Sequence, residues 1–92
     1  MIRLKGTMTC TADRLAEVRA ALQAHVALTR DEPGCIRFEV TEDAAMPGLF
    51  HVDEAFSDRA AFEAHQARGA ASVWAEVTLG LPRAYEITET EG

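Results

Sequence analysis

Glu32-Pro33-Gly34-Cys35 opens the stretch that decides the fold, followed by Cys35-Ile36-Arg37-Phe38-Glu39-Val40-Thr41-Glu42 and, after the breaker-rich Asp43 to Gly48, by Leu49-Phe50-His51-Val52-Asp53-Glu54-Ala55-Phe56. Pro33 drives Glu32 out of the helical region and Gly34 completes a turn, so a helix must end just upstream. Both following runs alternate with period two, the signature of half-buried strands. Ile36, Phe38 and Val40 are expected on one face, opposite Arg37, Glu39 and Thr41. Phe50, Val52, Glu54 and Phe56 share a face, opposite Leu49, His51, Asp53 and Ala55. Met46-Pro47-Gly48 joins the two as a hairpin. Glu54 is the anomaly, a carboxylate inside an apolar alternation.

Upstream, Ile2, Leu4, Gly6, Met8 and Cys10 alternate with Arg3, Lys5, Thr7 and Thr9, predicting a strand over residues 2–9. Gly6 on its apolar side leaves room for a bulky group from elsewhere. Thr11 offers an N-cap, and Leu15, Val18, Leu22 and Val26 form an amphipathic helical stripe ending near Arg30, with His25 at its edge. Downstream, Ser57 or Asp58 caps a second helix whose shared face carries Phe62 and His65. Gly69 is expected to break or kink it, leaving the second helix in two pieces. A third helical piece places Val73, Trp74, Val77 and Leu81 in register until Gly80 and Pro82 end it. Arg83, Tyr85 and Ile87 alternate with Ala84, Glu86 and Thr88 as a last strand, and the tail Glu89-Thr90-Glu91-Gly92 is expected to fray.

Strand, helix, strand, strand, helix, strand is the split βαβ order. The fold class is therefore α+β and ferredoxin-like, a four-stranded antiparallel sheet with helices on one face. Right-handed crossovers put the first and third strands in the middle. The other sheet face sets Arg3, Lys5 and Arg37 against Glu39, Asp53 and Glu86, charges placed to pair across strands or to meet a second subunit.

At 92 residues the chain predicts a single domain over 1–92. Hydrophobic residues at 48% and charged residues at 26% are ordinary globular values, so neither a disordered nor a fibrous class applies. A net charge of −6 with scattered arginines disfavours nucleic acid and anionic membrane as partners. No apolar run reaches membrane-span length, and Met1-Ile2-Arg3-Leu4-Lys5 has no signal-peptide character, so a cytoplasmic location is expected. Cys10 and Cys35 are far apart, and His25, His51 and His65 lack ligand spacing with either, so no metal site is expected.

The Glu-Pro-Gly-Cys turn after a helix, then strand-borne Glu54 with Phe62 and His65 following it, resembles the antibiotic biosynthesis monooxygenase (ABM) domain family over nearly the whole chain. The resemblance implies a dimeric α+β barrel, so a homodimer. It also implies oxidation of a small aromatic or quinol-type molecule by dioxygen with no cofactor. Phe56 stands where many members carry Trp, and the sequence has no Asn, so the haem-degrading branch of the family is not implied. In such a site a base must take a proton from the substrate. His65 is the natural base, with Glu54 placed to orient it or raise its basicity. Phe38, Phe56, Phe62, Trp74 and Tyr85 are the candidate ring walls, with Arg83 or Tyr85 steadying an oxyanion. Structural readings stand beside these: Glu54 and His65 as a buried polar tie, the aromatics as core, Arg83 as a surface or interface residue. A non-catalytic small-molecule-binding or stress-associated dimer, or an isomerase, remains the alternative.

Overall fold

The computed structural model describes residues 1–90. Its elements are β1 (Ile2–Thr9), a 3-10 turn (Ala12–Arg14), α1 (Leu15–Arg30), β2 (Cys35–Glu42), β3 (Leu49–Phe56), α2 (Arg59–Ala70), α3 (Val73–Val77) and β4 (Arg83–Glu89). The sheet is antiparallel with order β2-β3-β1-β4. Leu4 lies opposite Glu54 on β3 and Ile87 on β4, and Phe38 lies opposite Glu54 from the other side. The alternation thus carries Ile2, Leu4, Phe38, Val52, Glu54 and Phe56 to one side, where α1 and α2 cover them; all six are buried. Each such apolar side chain contributes roughly 1.5–3 kcal/mol on leaving water.

Several local devices hold the layers together. Asp58 caps α2 by accepting from the Ala61 N–H at 2.8 Å, and Ser72 caps α3 by accepting from the Ala75 N–H at 3.3 Å. Arg14 donates to the carbonyls of Val77 (2.6 Å) and Leu79 (3.2 Å), groups the end of α3 leaves unpaired. Arg30 donates twice to the Phe38 carbonyl, at 3.0 and 3.1 Å, fastening α1 to β2. On the outer sheet face Asp53 pairs with Arg3 at 3.0 Å and Arg37 at 2.9 Å, the cross-strand pairing its charges foretold. Gly34 sits at φ +85°, and a Cβ there would lie 2.6 Å from the Ala61 Cβ, so the turn before β2 and the start of α2 meet only because this residue is glycine.

The structure departs from the sequence expectations at five places. Thr11 is extended but makes no side-chain cap bond, because a 3-10 turn intervenes before α1. Ile36 is 59% exposed: a β-bulge between Cys35 and Arg37 takes it out of the alternation and resets the strand so that Phe38 points inward. Gly69 lies within α2, so the expected break into two helices falls after Ala70 instead. The third helix is a short piece that leaves Val73 exposed, and Leu81 reaches the core from beyond it. Glu89 belongs to β4 and pairs with Arg59, and the Thr90 N–H bonds the Met1 carbonyl at 2.9 Å; of the expected frayed tail, residues 91 and 92 lie outside the described residues. The room left by Gly6 is taken by its β4 neighbour, Tyr85, whose ring edge would meet a Gly6 Cβ at 2.8 Å.

Candidate active site

Between the sheet and the helices lies a cavity of about 260 Å³. Its sheet wall includes Leu4, Phe38, Val52, Glu54 and Tyr85, and its helical wall includes His25, His65 and Trp74. Strand periodicity aims Glu54 into it, since Glu54 shares a face with Val52 and Phe56. Helical periodicity aims His65 at the same point, because α2 buries only Phe62 and His65 among its residues.

The two groups approach each other with Glu54 Oε1 3.7 Å from His65 Nε2. That is beyond hydrogen-bond length, and Oε1 is sealed from solvent with no partner. The other imidazole nitrogen is engaged: Nδ1 lies 3.1 Å from Glu32 Oε1. Glu32 is also held by the Arg68 guanidinium, whose Nη2 donates to Thr29 Oγ1 at 2.9 Å, and Thr29 donates in turn to the His25 carbonyl at 2.7 Å. A carboxylate gripped by arginine can only accept, so Nδ1 carries the proton and Nε2 turns its lone pair toward Glu54 and the cavity. Phe56 stacks behind the imidazole at 4.8 Å and Phe62 packs edge-on against Phe56 at 5.8 Å.

Electrostatics follow from this burial. Desolvation, reinforced by the negative charge of Glu32, pushes the Glu54 carboxyl up to about 7. Desolvation lowers His65 against the opposing pull of Glu32. His25, buried and near both His65 and Arg68, is pushed down to about 4 and is neutral at pH 7. Near neutrality the Glu54 carboxyl is therefore poised between its protonated and ionised forms, the condition for a group that accepts and returns a proton. Stability carries the same signature. The folded state keeps the Glu54 proton where the unfolded chain has lost it, so Glu54 favours folding most below pH 4.5, and that contribution disappears as pH rises through about 7. Glu54→Gln removes the decline: between pH 5 and pH 8 the variant gains roughly 2–3 kcal/mol relative to wild type, measured as urea unfolding free energy. Parallel pH profiles for the two proteins would show that the carboxyl is not proton-bound in the fold.

Of the candidate site residues, the structure brings Glu54, His65, Phe38, Trp74, Arg83 and Tyr85 to the cavity lining. Phe56 and Phe62 do not line it, because His65 stands between them and the space. Arg83 donates to Thr78 Oγ1 at 2.7 Å and to the carbonyls of Thr78 and Leu81, which anchors β4 to the end of α3. Three residues were not among the site candidates read from sequence: Glu32 and Arg68, which orient the imidazole, and His25, stacked on Trp74 at 5.1 Å with planes 10° apart. Among the described residues no three His, Cys, Asp or Glu side chains are grouped to hold a metal ion, and no helix is long and apolar enough to cross a membrane.

Residues 1–77 match the sequence profile of a family described as antibiotic biosynthesis monooxygenase. Solved structures of similar fold include three proteins provisionally named antibiotic biosynthesis monooxygenases. One from Nitrosomonas europaea is 22% identical with a TM-score of 0.84, covering 98% of each chain. One from Deinococcus radiodurans is 24% identical with a TM-score of 0.78, covering 100% of this chain and 94% of its own. One from Bacteroides thetaiotaomicron is 25% identical with a TM-score of 0.78, covering 100% of this chain and 88% of its own. No curated protein matches the chain.

Proposed function

The chain belongs to the antibiotic biosynthesis monooxygenase family, and from that membership we propose that it is a cofactor-independent monooxygenase acting on a small aromatic or quinol-type substrate. The observation that carries this reading is a buried carboxyl and imidazole, Glu54 Oε1 and His65 Nε2 3.7 Å apart, set beside a ring-lined hollow. A cavity of about 150 Å³ suffices for benzene; one of about 260 Å³ takes a one- or two-ring molecule.

The chemistry needs little else. The Glu54–His65 pair takes a ring hydroxyl proton, and the resulting anion is electron-rich enough to pass an electron to dioxygen. Recombination forms a carbon–peroxide bond on the ring, and loss of water leaves a third carbon–oxygen group. For naphthalene-1,4-diol the balance is diol plus dioxygen giving hydroxynaphthoquinone plus water, with all four electrons that reduce dioxygen drawn from the substrate. Glu32 and Arg68 fix the imidazole. An oxygen electrode tests the reading: the protein accelerates uptake above the protein-free rate with this diol and with related quinols. Turnover of a substrate without oxygen uptake would instead indicate an isomerase, and no turnover at all a binding protein.

A homodimer belongs to the same proposal. Every residue of edge strand β4 is exposed, and Tyr85 and Ile87 turn apolar surface toward the helical side with no helix over Ile87, which is 51% exposed. Sedimentation velocity at tens of micromolar is expected to give twice the chain mass; a monomer at that concentration contradicts the assembly.

A further inference from the structure

His25 is a polar wall of the cavity that the chemistry above leaves unused. It is 6% exposed and lines the cavity with its ring flat on Trp74 and 5.4 Å from Phe38. No side-chain hydrogen bond engages it, and its Nδ1 is sealed without a partner. A buried imidazole with neither nitrogen bonded is costly, and an orphaned lone pair is cheaper to bury than an orphaned N–H. The proton therefore belongs on Nε2, the nitrogen that is not sealed, leaving a donor with nothing in the protein to receive it. Glu54 presents a comparable case across the cavity, with one oxygen sealed near His65 and no hydrogen bond to the carboxyl.

We propose that His25 donates from Nε2 to an oxygen on the ring of the bound molecule, so that the cavity selects oxygenated aromatic rings over bare ones. The inference rests on the cavity being the substrate site. It adds a specificity-determining contact: one ring oxygen faces the Glu54–His65 pair while another, or the same oxygen once deprotonated, is held by a neutral donor. A neutral imidazole suits this role because it stabilises an oxyanion without protonating it. Stacking on Trp74 fixes the plane of the ring and so the direction of the bond.

The test is binding without turnover. Under nitrogen, calorimetry compares naphthalene-1,4-diol, 1-naphthol and naphthalene with wild type, His25→Phe and His25→Gln. Phenylalanine keeps the stack and removes the donor; glutamine supplies an amide N–H in its place. Wild type is expected to bind the diol at least about tenfold tighter than naphthalene. His25→Phe is expected to weaken the diol roughly five- to tenfold while naphthalene binding holds or tightens. His25→Gln is expected to retain most of the preference for the diol. Equal affinity of wild type for the diol and naphthalene, or a His25→Phe protein with the wild-type preference, overturns the inference. Should His25→Phe not fold, His25→Leu, which also removes the donor, takes its place in the same comparison. The two proposals separate cleanly: preserved ring-oxygen selectivity without oxygen uptake sinks only the monooxygenase reading, whereas oxygen uptake with no change on losing His25 sinks only this contact.

Discussion

Replacing His65 by glutamine is expected to lower kcat/KM for the proposed quinol oxidation by about 10²- to 10⁴-fold, the range lost when a positioned proton acceptor is removed. Its Nε2 lone pair faces Glu54 and the cavity, and glutamine offers no basic nitrogen there. The fold is expected to survive the change, because Glu32 keeps its partner Arg68 and Phe62 still anchors α2. Steady-state oxygen uptake beside a thermal melt makes the comparison, and a variant within about threefold of wild type removes His65 from the proton transfer. The pH profile should move as well. With the imidazole gone, the acidic limb of the rate profile is expected to follow the Glu54 carboxyl.

The second large effect is on stability. Phe56 is wholly buried, stacked on His65 and flanked by Phe62. Truncating such a ring to alanine removes its transfer free energy and leaves a cavity, together about 3–5 kcal/mol. For a domain of this size that is a large share of the total. Phe56→Ala is therefore expected to move the urea midpoint far toward zero. Where the variant is still folded, it should also lose activity, since nothing then holds the imidazole against its carboxylate. A loss below about 1 kcal/mol would mean that this ring is not packed in solution as described.

The legible part of the molecule was that written in periodicity. The alternation of β1 and β3 and the helical spacing of Phe62 and His65 placed the sheet, its central strands and the Glu54–His65 encounter. The roles around that encounter were less legible. Glu54 was expected to orient the imidazole, but Glu32 holds Nδ1, thirty-three positions away in sequence. Glu32 reads as the end of a helix because Pro33 follows it, and nothing local announces that the turn carries its carboxylate across to α2. His25 reads as the edge of an amphipathic stripe; only the packing of α3 against α1 sets Trp74 upon it. The bulge at Ile36 was hidden for a similar reason. Slipping one residue changes which side chains face inward, and the alternation Ile36, Phe38, Val40 looks the same with or without it. Phe56 and Phe62 were expected to touch substrate because aromatic rings suit both a pocket wall and a core, and sequence does not distinguish the front of an imidazole from its back.

Isotopic oxygen tests the central claim most directly. With naphthalene-1,4-diol under ¹⁸O₂, the account predicts one labelled atom in the hydroxynaphthoquinone and the other in water, at one dioxygen per substrate and only in the presence of protein with Glu54 and His65 intact. Unlabelled quinone with hydrogen peroxide accumulating, or labelling that continues undiminished when both residues are replaced, would contradict it.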